Sequence, residues 1–109
     1  MEEFPSGPNI PLVYQFDLLT DTNRLTDLKE AVEAVVEEGD TVADLGAGVG
    51  ILSYLASPRA DKVYAVENNQ TVYEKGKEIL AKENVDNVEF IHEDARAVTF
   101  PDEIDVVLC

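Results

Sequence analysis

Two rhythms of apolar and polar positions run along this chain. Leu25, Leu28, Ala31, Val32, Val35 and Val36 recur at three- and four-residue spacing, which predicts a helix from Asp21 or Arg24 to Glu37 with one apolar stripe. Gly39 supplies its stop. Four short segments are instead nearly continuous in apolar residues: Thr41–Leu45, Lys62–Val66 closing on Glu67, Val88–His92 and Ile104–Cys109. Such runs suit strands of a parallel sheet. A short helix is expected from Ile51 to about Ser57, because Pro58 cannot continue it. Another helix follows Glu67, with Thr71-x-x-Glu74 as its capping box, a stripe of Val72, Gly76, Ile79 and Leu80, and Asn84 as its C-terminal cap. Ala95–Glu103, interrupted by Pro101, is too short for a full crossover helix.

This order, β-α-β-α-β-β after the leading helix, predicts an α/β fold. Right-handed crossovers place the two helices that link the first three strands on one face of the sheet. With 109 residues the chain amounts to one small domain. Residues 1–11, with Pro5, Pro8 and Pro11, are expected to form a flexible arm, and 12–109 the domain itself.

Charge changes the picture of its partners. Asp and Glu number 23 against 8 Lys and Arg, a formal charge of −15. Such a field repels nucleic acid and anionic membranes and favours cationic ligands or basic protein substrates. Hydrophobic residues at 45% supply a core, which argues against global disorder. Cys109 is the single cysteine, which leaves no internal disulfide and suits a reducing compartment. Without a leader or an apolar run of membrane-spanning length, the expectation is a cytoplasmic protein.

The chemistry concentrates after the first strand, in Asp44-Leu45-Gly46-Ala47-Gly48-Val49-Gly50-Ile51. Glycines at a strand-to-helix turn permit tight backbone angles and close approach of a ligand. The helix that follows points its unpaired N–H groups at the same place. Ile51 stands where the dinucleotide fingerprint G-x-G-x-x-G needs its last glycine, and no G-x-x-x-x-G-K-[ST] loop occurs. Glu67, at the end of the second strand, is positioned to accept hydrogen bonds from ribose hydroxyls. Asp94 and Ala95 follow the third strand, at the ligand-binding end of an open α/β sheet. His92 has no companions at metal-ligand spacing and reads as a structural strand-end residue, so no metal is expected. No His/Asp constellation accompanies Cys109 to activate its thiol.

The run Asp44 to Gly50 resembles the first motif of the class I S-adenosylmethionine-dependent methyltransferases. Within that class the chain is most similar to protein arginine methyltransferases and to archaeal predicted RNA methylases. Leu19-Thr20-Asp21-Thr22-Asn23-Arg24, Gly50-Ile51-Leu52-Ser53, Lys62-Val63-Tyr64-Ala65-Val66-Glu67 and Asp105-Val106-Val107-Leu108 carry this likeness. The resemblance implies a partial Rossmann-like three-layer sandwich of about four parallel strands in order 3-2-1-4, the N-terminal, cofactor-binding half of a methyltransferase. It implies S-adenosyl-L-methionine as cofactor and a protein or RNA acceptor. Gly46, Gly48 and Gly50 would lie at the methionine portion and Glu67 at the ribose, with Ala47 and Asn68 also among the cofactor-binding residues. Asp94 and Ala95 would hold the adenine, although Glu93 stands where the family often has glycine. Arg24 would grip the carboxylate, a task suited to a guanidinium fork. Asp44 would steady the turn or the cofactor's amino group. Residues that choose the acceptor follow the fourth strand in the family, so no catalytic residue is assigned.

Two other readings stay open at this point. One is a non-catalytic module that binds the cofactor or a partner protein. The other, disfavoured by Ile51 and Asp94-Ala95, is an NAD-type oxidoreductase domain. With helices on one face, Ala43, Leu45, Val106, Val107 and Leu108 leave apolar groups pointing both ways, so self-association through the bare face or the fourth-strand edge, or dependence on a C-terminal half, is expected.

Overall fold

A computed structural model describes residues 22–109, and their side chains from Leu25 onward. The expected proline arm, 1–11, and the residues up to Asp21 lie outside the described residues. In chain order the elements are α1 (Thr22–Val35), β1 (Thr41–Leu45), α2 (Ile51–Ala56), β2 (Lys62–Glu67), α3 (Gln70–Lys82), β3 (Val88–His92) and β4 (Val106–Leu108). All pairings are parallel, and the strand order is β3-β2-β1-β4. This is the α/β, Rossmann-like plan and the 3-2-1-4 order that the sequence implies.

The register decides which side chains share a face. Val42 lies beside Val63 and Val106, Asp44 beside Ala65 and Leu108, and Ala65 in turn beside Phe90. Val42, Val63 and Leu108 are buried in one cluster with Val32 of α1 and with Ile51, Leu55 and Ala56 of α2. Val72 and Ile79 of α3 pack against that same cluster. All three helices therefore cover one face. The α1 stripe is narrower than its periodicity suggests: Val32 and Val36 are buried, whereas Val35 is 51% exposed. The helix also ends at Val35 rather than Glu37, and Glu37–Asp40 folds into a turn closed by Asp40 Oδ2 accepting the Glu37 N–H at 2.8 Å.

Cap chemistry sets the limits of α3. Its N-cap is Asn69, whose Oδ1 accepts from the Val72 N–H at 3.0 Å, so the Thr71 capping box does not form and Thr71 sits inside the helix. Asn84 does end the helix, with φ 59°. Val85 N–H bonds Leu80 C=O at 3.1 Å and Asn84 N–H bonds Ala81 C=O at 3.2 Å, the paired closure of a Schellman motif.

The opposite face is less bare than expected. Tyr64 is only 2% exposed, its ring lies 5.4 Å from that of Phe100, and its hydroxyl donates to the Asp102 carboxylate. The non-helical β3–β4 connection thus covers part of this face, because an aromatic ring and one polar anchor bury a strand without a crossover helix. Among the described residues on this face, Val107 is the large apolar side chain left strongly exposed, at 56%. β4 is three residues rather than the expected Ile104–Cys109, and its approach is fixed by Asp105. The Asp105 N–H donates to Thr41 C=O, and Asp105 Oδ2 accepts the Thr41 N–H, both at 2.8 Å.

Candidate cofactor-binding site

The turn between β1 and α2 is built on three positive-φ glycines: Gly46 at 71°, Gly48 at 61° and Gly50 at 92°. An L side chain is strained in that region, so the backbone alone favours glycine there. Beyond its chain neighbours, a methyl placed on Gly46 or Gly48 would meet no atom of the described residues within 4 Å. The turn is anchored from β2, where Val66 C=O accepts the Ala47 N–H at 2.9 Å, and Ala47 C=O accepts the Gly50 N–H at 3.0 Å.

Glu67 links the turn to the next loop. Its Oε1 accepts the Gly48 N–H at 2.8 Å and its Oε2 accepts the Asn69 N–H at 2.9 Å. Each oxygen uses one lone pair in this way and keeps another for a further donor. Asn68, between Glu67 and the N-cap, is exposed, and its carbonyl lies 2.9 Å from Nε2 of His92. A carbonyl only accepts, so Nε2 carries the proton. The imidazole also stacks on Tyr73, with ring centroids 5.2 Å apart. His92, read from sequence as structural, holds the loop that carries Asn68.

Asp44 faces α2. It is 1% exposed, and Ser53, fully buried, donates its hydroxyl to Asp44 Oδ2 at 2.7 Å. Burial pushes the Asp44 carboxyl above its ordinary value, opposed by the side-chain and backbone hydrogen bonds from Ser53, while the nearby Glu67 charge adds to the rise. This pair joins the last part of β1 to the first turn of α2, directly beneath the glycines.

Asp94 and Ala95 come next after His92 and Glu93, and the register puts His92 beside Glu67. They therefore extend from the same end of the sheet as the glycine turn. Asp94 is clamped by Arg96, whose Nη2 and Nε approach the two carboxylate oxygens at 2.7 and 3.1 Å. Hydrogen bonds from the Arg96 side chain and backbone hold the Asp94 carboxyl down at about 2. Arg24 belongs to the first turn of α1, and its side chain lies outside the described residues. Cys109 is exposed and free. Among the described residues no group of three or more His, Cys, Asp or Glu could hold a metal ion.

Ser53 and Arg96 are not singled out from sequence for these roles, although Ser53 closes the Gly50-Ile51-Leu52-Ser53 stretch that carries the family likeness.

Residues 42–109 match a family model described as a methyltransferase domain. The chain belongs to the class I S-adenosylmethionine-dependent methyltransferases. It is 42% identical over 95 residues to an uncharacterized protein of Methanocaldococcus jannaschii, covering 87% of this chain and 37% of that one. Over 83 residues it is 34% identical to a probable ribosomal RNA small subunit methyltransferase A of Methanosphaera stadtmanae, covering 76% of this chain and 30% of the relative. Among solved structures, protein arginine methyltransferase 10 of Arabidopsis thaliana superposes with a TM-score of 0.74 at 33% identity, over 88% of this chain and 28% of that chain. The methyltransferase domain described here thus spans about a third of the length of these relatives.

Proposed function

We propose that this chain is the cofactor-binding part of a methyltransferase that uses S-adenosyl-L-methionine to methylate a protein or RNA acceptor. The observation that carries the reading is the Glu67 carboxylate, fastened by the Gly48 and Asn69 N–H groups beside an open glycine turn. That arrangement fits a ribose diol next to a chain that must lie close to backbone. When bound, the cofactor would supply an electrophilic methyl on a sulfonium to a nucleophile of the acceptor.

In this reading Gly46, Ala47, Gly48 and Gly50 border the methionine portion, and Arg24 meets its carboxylate. Glu67 accepts from the ribose hydroxyls beside Asn68, and Asp94 and Ala95 hold the adenine. Asp44, enclosed with Ser53, shapes the turn from beneath. Methyl transfer disperses a charge already present, so the residues act mainly by orientation. A formal charge of −15 suits a cationic cofactor and a basic acceptor surface. Names of relatives supply both acceptor classes, ribosomal RNA and protein arginine.

Ile51, buried at the start of α2, fills the space that the third glycine of a dinucleotide site would leave, which disfavours an NAD-type domain. No helix among the described residues is long and apolar enough to cross a membrane. A cytoplasmic location belongs to the same proposal, as does self-association through Val107 and the free edge of β4. Sedimentation at physiological salt checks the latter, and a stable monomer overturns it.

Calorimetry with S-adenosylhomocysteine and with NADH tests the central reading. Binding of the first and not the second is expected. NADH binding alone, or no binding of S-adenosylhomocysteine, rejects it.

A further inference from the structure

Gly76 lies in the middle of α3, away from the turn in sequence, yet the helix meets the turn there. A methyl added at Gly76 would stand 2.7 Å from Phe90 Cε1, 3.0 Å from Phe90 Cζ and 3.3 Å from the Gly48 carbonyl oxygen. The same Phe90 ring also closes on Gly50, where an added methyl would lie 2.9 Å from Cζ and 3.2 Å from Leu80 Cδ1. Phe90 projects from β3 to the helix-covered face, in register with Ala65 and, one strand on, Asp44. Its ring is bounded further by the edge of Tyr73, with centroids 6.4 Å apart at 71°. One aromatic ring is thus wedged between a helix glycine and a turn glycine, with the turn's Gly48 carbonyl lying just beyond the space that a Gly76 side chain would take.

We infer that Gly76 is a positioning residue for the cofactor turn: its missing side chain lets α3 seat Phe90 and the Gly48 carbonyl so that the Gly48 N–H reaches Glu67. The inference rests on the cofactor-site reading for its functional meaning, although its geometry is independent of any ligand. Gly76 and Gly50 differ in a way that makes this testable. Gly76 has no positive φ, so an alanine there is limited by space alone. Gly50, at φ 92°, strains any L residue whatever the space. Shortening Phe90 should therefore relieve a substitution at Gly76 and not one at Gly50.

The experiment compares the parent with Gly76→Ala, Gly50→Ala, and each combined with Phe90→Leu. The first readout is hydrogen exchange of the Gly48 amide, which needs no cofactor. Gly76→Ala should accelerate that exchange by about tenfold or more, in line with overpacking that loosens one hydrogen bond. Gly76→Ala with Phe90→Leu should bring exchange back to within about twofold of Phe90→Leu alone. Gly50→Ala should stay fast with or without Phe90→Leu. The second readout is affinity for S-adenosylhomocysteine, which should follow the same order. A Gly76→Ala protein with parental Gly48 exchange overturns the inference, as does one whose faster exchange Phe90→Leu fails to restore. If Gly76→Ala alone does not fold, recovery of fold and Gly48 protection in the double variant supports it, and failure of both to fold overturns it. A parent that binds no S-adenosylhomocysteine refutes the cofactor reading, while the exchange order still decides the role of Gly76.

Discussion

The Gly48 N–H and the Glu67 carboxylate, 2.8 Å apart, join the turn after β1 to the end of β2. Two loops that a ligand would have to touch together are therefore already held in one geometry before it arrives, which reduces the ordering that binding must supply.

Removing that carboxylate should be costly for binding. Glu67→Ala deprives the Gly48 and Asn69 N–H groups of their acceptor and leaves a ribose diol without a charged partner. A charge-assisted bond contributes about 1.5–3 kcal/mol, so calorimetry should register at least about a tenfold weaker dissociation constant for S-adenosylhomocysteine. Glu67→Gln keeps one acceptor oxygen and should fall between the two. Equal affinity in all three proteins would remove Glu67 from the site.

Ser53→Ala should destabilise the fold in a pH-dependent manner. Asp44 would lose its hydroxyl donor while still enclosed, a loss of about 1–3 kcal/mol. Because the folded-state pKa of Asp44 is raised, the folded protein holds the proton more tightly than the unfolded chain. Stability from this group is thus greatest below its unfolded value and falls as pH rises through the folded one. The penalty of Ser53→Ala should accordingly be largest at neutral pH and shrink on acidification toward the folded pKa. Thermal unfolding across pH checks this, and a penalty constant with pH contradicts it.

Asp94 behaves in the opposite sense. Arg96 holds its carboxyl at about 2, so Asp94 should remain ionised through mildly acid solution. Any stability from this depressed pKa is present above the unfolded value of 3.8 and disappears as pH falls through about 2. In Arg96→Ala the midpoint followed by carboxyl NMR should climb back toward 3.8. An unchanged midpoint would mean that the clamp does not persist in solution.

The helix caps give a paired comparison. Asn69→Ala removes the acceptor for the Val72 N–H and should lower stability by about 1 kcal/mol. Thr71→Ala should lie within about 0.5 kcal/mol of the parent, since Thr71 is exposed inside the helix and caps nothing. Denaturant titration distinguishes the two, and the reverse order would restore the Thr71 cap.

Much of this fold was legible because the first three strands are nearly continuous apolar runs, and their limits follow directly. Asn84 was readable as well, since few residues other than glycine accept its left-handed backbone. Asn69 was not, because Asn69 and Thr71 are both able to cap, and the choice depends on Glu67 drawing in the Asn69 N–H. Coverage of Tyr64 by Phe100 and Asp102 depends on how an irregular connection folds back, which no periodicity records. Within the site, the glycines and Glu67 announced themselves by spacing and strand-end position. Gly76 packs against residues distant in sequence and Ser53 works through a buried hydrogen bond to Asp44, so a linear reading found their neighbours and not their roles.

The Asp105–Thr41 pair bears on the order in which the molecule assembles. It joins residues 64 positions apart, whereas β1, α2 and β2 follow one another directly. Closing the longer loop costs more chain entropy, and β4 offers only three residues to offset it. The β1–α2–β2 unit, with the glycine turn inside it, is therefore expected to form early, and β4 to dock late. Shortening Val106 should then hasten unfolding with little change in the folding rate, leaving the unit that carries the glycine turn as the part that is made first and lost last.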